Sequence, residues 1–167
     1  MAKKKDHGLA AAKKSSDIQE RSPKWDEVQT KHLKKQPYCV ACGKEIKYKN
    51  NNGLQVHHII PFHIVIELGR HDLELDERNL MTLCETDGDI KTPNHHLLIG
   101  HLDDWQSFNY TAKQDSVSTF HTMPSTQIKA DPKWKKEHSA KPKHIDKMTV
   151  AEKDELKKYI NKRFPKK

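Results

Sequence analysis

The sequence predicts a small α+β domain whose core is supplemented by bound metal. Three observations predict it. Between Cys39 and His101 the chain places three cysteines and seven histidines, two of the cysteines in the spacing C-x2-C. The same stretch carries both strand-like and helix-like apolar runs. The 167-residue chain is only 34% hydrophobic against 32% charged, too little apolar material for one core over its whole length.

Residues 1–22 are small, charged and nearly without large apolar side chains, which predicts a basic disordered arm. A domain is expected over 23–110. Ser22-Pro23 opens a short helix, because proline suits a first helical position. Trp25, Val28 and Leu33 form its stripe, with His32 beside it. "PYCVACG", 37–43, reads as a knuckle, its glycine permitting a tight turn. "NNNG", 50–53, is a turn signal. Leu54 to Ile60 reads as a strand ending before Pro61. Residues 62–69 fit a helix or a strand, and the helical reading ends naturally at Gly69. "NLMTLC", 79–84, is a short apolar run, and 85–93 a polar loop. Residues 94–108 read as a helix that Asn94 can cap, with Trp105 and Phe108 expected in the core. Residues 111–148 read as a weakly ordered basic linker with isolated aromatics, Phe120 and Trp134. Residues 149–167 form a terminal amphipathic helix. Thr149 and Glu152 have capping-box spacing, and Val150, Leu156, Ile160 and Phe164 give a thin stripe that can dock on the core or on a partner.

The net formal charge of +8 is unevenly placed. Residues 1–24 carry +4 and residues 129–167 carry +8, while the 104 residues between carry −4. An acidic middle suits a cation, and basic ends suit a polyanion such as DNA. No apolar run is long enough to span a membrane, and the first residues lack the apolar stretch of a signal peptide. With the C-x2-C spacing, the cysteines are expected to be reduced and metal-bound. A cytoplasmic protein with no membrane contact follows as the expectation.

A structural Zn²⁺ wants four soft or borderline ligands at tetrahedral corners. Cys39 and Cys42 supply two, and Cys84 a third. His95 is the natural fourth; His96, or a site with three protein ligands, is the alternative. That leaves His57, His58, His96 and His101. Neutral imidazole is a good metal ligand and the usual base near neutral pH. An open site of His57 and His96 would leave room for water and phosphate, with His58 free as a base. His57 and His58 are adjacent on a strand and so point to opposite faces. His101 follows His96 by five residues, about 140° round an ideal helix, a poor separation for sharing one cation unless the helix distorts. It could instead touch a phosphate. His63 is expected to pack or cap. Arg70 and Lys91 are candidates to meet phosphates.

The pieces "CVAC", "LQVHHIIPF", "ERNLMTLC" and "NHHLLIGH" resemble the HNH endonuclease family, over roughly Tyr38 to Asn109. "GHLDDWQSFN" is similar to the small HNH proteins of phages and bacterial genomes. The resemblance implies a ββα-metal (His-Me finger) site: a two-stranded ribbon and a helix gripping one divalent cation, stapled by the zinc knuckle. It implies His58 as general base, Asn79 as the residue orienting it, and His57 and His96 as ligands of the catalytic cation. Two departures stand out. Many members have Asp where this chain has His57, which shifts the expected cation from Mg²⁺ toward Zn²⁺, Ni²⁺ or Mn²⁺. Many have Cys where this chain has His95, giving a Cys3His set. The implied activity is hydrolysis of DNA phosphodiester bonds by nicking or cutting with weak intrinsic specificity, since no sequence-reading module is present. Targeting by a partner, such as phage packaging machinery, is likewise an implication of the resemblance. Oligomeric state has no signal in the sequence. The rival reading is a zinc-stapled module that binds nucleic acid without cutting it.

Overall fold

The computed structural model describes residues 20–45, 53–85 and 94–167. The expected arm over 1–19, most of the turn at 50–53, and Lys91 with most of its polar loop lie outside the described residues. The fold is mixed, with short helices around a two-stranded antiparallel sheet. Helix α1, Trp25–Lys35, starts where Trp25 N–H reaches the Ser22 carbonyl, 2.9 Å. Its buried residue is His32, with Trp25, Val28 and Leu33 half-buried. The knuckle follows. Cys39 N–H bonds the Lys44 carbonyl and Gly43 N–H bonds the Cys39 carbonyl, both at 2.8 Å, with Gly43 at φ 71°. A left-handed residue at that turn favours glycine.

Strand β1, Leu54–His58, pairs with β2, Leu80–Cys84, in a register that sets Leu54 opposite Cys84 and His58 opposite Leu80. β1 stops two residues short of the expected end. The cause is Asn79, whose side chain takes both the N–H and the carbonyl of Ile60, at 2.8 and 3.0 Å. The next rung is only half made: Ile59 N–H reaches the Asn79 carbonyl at 2.9 Å, but Asn79 N–H turns to the Asp76 carbonyl and Ile60 is already taken. Between the strands lie helix α2, Phe62–Glu67, and two 3₁₀ turns, His71–Glu74 and Glu77–Asn79. The helical reading of 62–69 thus holds, with Gly69 at φ 68° just beyond it.

The helix expected over 94–108 is much shorter. Asn94 does cap it, its Oδ1 accepting from Leu97 N–H at 2.9 Å. The chain then winds as a π-turn, His96–Gly100, and leaves helical geometry where Leu102 and Asp103 take φ 51° and 62°. Phe108 is fully buried as expected, but Trp105 is 48% exposed.

Residues 111–148 are not a weakly ordered linker. They contain α3, Ala112–Val117; α4, Ser125–Ala130; and α5, Pro132–Ser139. Three anchors spaced too far apart to show as a periodic stripe hold them: Phe120, Ile128 and Trp134 are buried with Cys39, Leu54, Leu83, Cys84 and Ile99. Trp134 Nε1–H donates to the Leu98 carbonyl at 2.9 Å, and Thr122 N–H to the Ala41 carbonyl at 2.7 Å. The segment therefore closes over the knuckle. Helix α6, Val150–Arg163, carries the full capping box of Thr149 and Glu152. Leu156, Ile160 and Phe164 enter a second core with Ile60, Ile64, Leu73 and Phe108, so α6 docks on the domain, while Val150 stays exposed. Arg70 is spent on this docking. It is buried, binds Asp72 through two nitrogens, and donates to the Asn161 side chain and the Phe164 carbonyl. It is not free to meet a phosphate.

Trp134→Ala removes a buried aromatic and strands the Leu98 carbonyl. Urea denaturation should show a loss of about 3–5 kcal/mol; a loss near zero would mean that residues 111–139 are not part of the folded unit.

Candidate metal centres and catalytic site

Two clusters of metal-ligating side chains flank the hairpin. The first joins Cys39 and Cys42 of the knuckle, Cys84 at the end of β2 and His95 at the start of the π-turn, their ligand atoms all within 4.8 Å of one another. Cys42 Sγ lies 3.9 Å from Cys84 Sγ, and His95 Nδ1 lies 3.2 Å from Cys84 Sγ and 3.7 Å from Cys39 Sγ. Sulfurs at two corners of a zinc tetrahedron with bonds of about 2.3 Å are about 3.8 Å apart. His95 Nε2 lies 3.2 Å from the Met123 carbonyl. A carbonyl only accepts, so Nε2 carries the proton and Nδ1 offers its lone pair to the cluster. Desolvation would lower His95, yet hydrogen bonds with Cys39 and Cys42 push it up to about 9. Contacts among the three sulfurs lower the Cys42 thiol and raise that of Cys84. The four residues expected from the sequence are thus brought together, and they can hold zinc.

The second cluster is His57, His96 and His101, again with ligand nitrogens within 4.8 Å of one another. Their rings meet edge to face at centroid distances of 4.9 to 5.1 Å. His101 belongs here because the helix does distort. Winding with i→i+5 bonds brings residues five apart onto one face, and such turns recur at functional sites. His57 Nε2 is buried with no hydrogen-bond partner, an arrangement that costs free energy unless something completes it. His101 Nδ1–H donates to the Ser107 carbonyl at 2.7 Å, leaving Nε2 as the ligand atom. His96 Nδ1 lies 2.7 Å from Glu85 Oε2, a carboxylate that fixes the ring. Gly100 gives the cluster its space: a Cβ there would sit 2.8 Å from the His57 ring. Glu85 and Gly100 were not singled out in the sequence, although each adjoins a ligand, Cys84 or His101. Burial, with the neighbouring histidines, holds His57 well below its ordinary value and His101 at about 4, so both rings are neutral at pH 7.

His58 points away from this trio, as alternation on a strand requires. Its ring stacks on Trp25 at 4.6 Å, and Nε2–H donates to the Glu74 carbonyl at 2.9 Å. Nδ1 keeps its lone pair. Desolvation lowers the group to about 4 against the raising effect of that carbonyl, with Arg21 lowering it further. Asn79, fully buried, adds a third bond from Nδ2 to the Leu73 carbonyl at 3.1 Å, so it ties the end of β1 to the turn that carries Glu74. His63 lies outside the trio. It is half-buried, with Nε2 buried and unpartnered.

Hairpin, π-turn and histidine trio define an α+β domain with two clusters that could each hold a metal ion. Residues 39–93 match the family model described as HNH endonuclease, a family made up generally of endonucleases. The match covers both strands, His57, His58, Asn79 and the three cysteines, and ends just before His95. No curated protein and no solved structure matches the chain.

Three buried neutral histidines make the metal-free domain pH-sensitive. The unfolded chain takes up these protons near pH 6.5, whereas in the folded chain His58 and His101 do so only near 4 and His57 is shifted in the same direction. Between those values the unfolded state binds more protons, so stability rises with pH. Below about pH 6.5 these three groups should cost chelated protein about 1.4 kcal/mol per pH unit each, whereas His95, raised to about 9, acts in the opposite sense above about pH 6.5. Denaturant titrations between about pH 5 and 7.5, above the carboxylate range, check this; flat stability would contradict it.

Proposed function

We propose that the protein is a metal-dependent HNH endonuclease that hydrolyses DNA phosphodiester bonds. The observation that carries the reading is the division of labour between His57 and His58. One strand delivers an unpartnered nitrogen into a three-histidine cluster, and the next residue is a neutral imidazole held by a backbone carbonyl with one nitrogen free.

In this reading His57, His96 and His101 hold the catalytic cation, and Cys39, Cys42, Cys84 and His95 hold a structural zinc. Three neutral ligands favour Zn²⁺, Ni²⁺ or Mn²⁺ over Mg²⁺. A divalent cation at the trio supplies Lewis-acid stabilisation for the charge that gathers on the phosphate and the leaving oxygen. His58 Nδ1 takes a proton from water as the water oxygen attacks phosphorus and the bond to the 3′ oxygen breaks. Burial keeps His58 neutral at pH 7, with the Nδ1 lone pair unprotonated. The Glu74 carbonyl and the Trp25 face fix its ring. Asn79 positions the backbone on either side of it rather than moving a proton. Glu85 orients His96. The basic termini bind the DNA backbone by counterion release, which gives affinity without sequence choice.

His58→Ala should reduce the rate of supercoiled-plasmid nicking by about 10²- to 10⁴-fold while the protein stays folded and still binds DNA. Protein stripped of labile metal and resupplied in turn with Mg²⁺, Mn²⁺, Ni²⁺ or Zn²⁺ provides the comparison. Wild-type protein that shifts DNA on a gel but cuts it with none of these cations is a binding module, and the nuclease reading fails.

A further inference from the structure

Trp105 is 48% exposed, yet it lies against the histidine trio, with ring centroids 5.2 Å from His96 and 5.0 Å from His101. Folding alone gives no reason to leave half an indole in water beside a polar cluster, since exposing it forgoes apolar burial.

The loop that presents the ring is rigidly built. Leu102 and Asp103 adopt left-handed backbone angles, φ 51° and 62°, which L-residues avoid unless the surroundings hold them there. Leu102 is buried as an anchor. Asp104 N–H bonds the His101 carbonyl at 3.1 Å, Ser107 N–H bonds the Asp104 carbonyl at 2.8 Å, and Asn109 N–H bonds the Gly100 carbonyl at 2.9 Å. The ring is thus presented on a fixed mount rather than a loose tether.

The charges beside it are also arranged. Two carboxylates next to the indole would repel a polyanion, but each is matched. Asp103 pairs with Lys129 at 2.9 Å. Asp104 lies 3.1 Å from His144 Nε2 and 3.9 Å from Lys141 Nζ. The cleft behind Asp104 is further lined by His138 and Lys147. A flat aromatic face, a neutralised rim and an adjoining cation site together fit one ligand chemistry: a nucleotide, with its base on the ring and its phosphate over the histidines.

We propose that Trp105 is a stacking platform for an unpaired base of a nucleic-acid strand whose adjacent phosphate enters the three-histidine site. The placing of that phosphate rests on the nuclease reading above; the stacking does not. A base within a duplex has both faces covered, so the platform favours single-stranded or locally opened DNA. Stacking tolerates every base, because every base has a π face, and the platform therefore adds strand preference without sequence choice.

The test measures binding by full-length protein in a His58→Ala background, so that the strand is not cut. Two probes are compared: oligothymidylate of about twelve nucleotides, within the usual range of single-strand site sizes, and a chain of equal length whose sugars carry no bases. Trp105→Ala should weaken binding of oligothymidylate by about 5- to 150-fold. It should leave binding of the abasic chain unchanged, and Trp105→Phe should keep most of the affinity. Equal losses on both probes, or no loss on either, would overturn the platform. Cleavage of oligothymidylate by the otherwise wild-type chain is read in parallel. Base-dependent binding without cleavage by any cation removes the nuclease reading and leaves the platform standing. Cleavage without base-dependent binding removes the platform and leaves the nuclease.

Discussion

The side chain of Asn79 is the constraint on which the rest of this structure depends. It takes both backbone groups of Ile60 and one carbonyl of the turn at Leu73. In doing so it stops the ladder just past His58, after the single bond from Ile59 N–H to the Asn79 carbonyl. The last two residues of β1 are then held in strand geometry, pointing to opposite faces, while the chain beyond them is free to turn into α2. His57 faces the π-turn and His58 faces the turn that carries Glu74. A strand running on to Ile60 would need those backbone groups for pairing and would leave no fixed carbonyl beside His58. One buried amide with every partner satisfied therefore keeps the two adjacent histidines on opposite faces. A buried polar group of this kind strongly specifies one arrangement, because breaking part of it leaves the remainder unpaired.

The π-turn is the matching device on the other side. It begins just after His95, which points into the cysteine cluster, and ends at Gly100, which makes room for the His57 ring. His95 and His96 are thus a second adjacent pair serving two different centres. The cysteine cluster also explains why so few large apolar residues suffice. Cys39, Cys84 and His95 sit in the middle of the first core, and Phe120, Ile128 and Trp134 close over them. A metal held there would tie the knuckle, β2 and the π-turn at one point and substitute for apolar burial that a small domain lacks.

Much of the site was legible in the sequence, and the failures have physical causes. The C-x2-C spacing, with a third cysteine and a dense run of histidines, identified all four members of the first cluster, because tetrahedral coordination restricts which residue types will serve. A second site of His57 and His96, with His58 as a free base, was suggested by the histidines left over once the first cluster was filled, and the resemblance added Asn79. His101 was hard to place because the angle between residues five apart was taken from an ideal α-helix, and the chain here winds as a π-turn. Trp105 was expected in the core because apolar pattern counts an aromatic as buried, and pattern does not register a left-handed turn at Leu102 and Asp103. The helices over 112–139 were missed because Phe120, Ile128 and Trp134 are long-range anchors, visible only when the knuckle they cover is in place. Arg70 looked free because its partners, Asn161 and Phe164, lie about ninety residues away along the chain.

The central claim is that one hairpin serves two separate metal centres. Native mass spectrometry of zinc-loaded full-length protein, wild type against Gly100→Ala, tests it most directly. A Cβ at position 100 collides with the His57 ring, which supplies all three of its nearest atoms. The account predicts two ions in the wild type and one in Gly100→Ala, with Cys39, Cys42 and Cys84 protected from alkylation in both. A single ion in the wild type, or loss of both ions together in the variant, would contradict it.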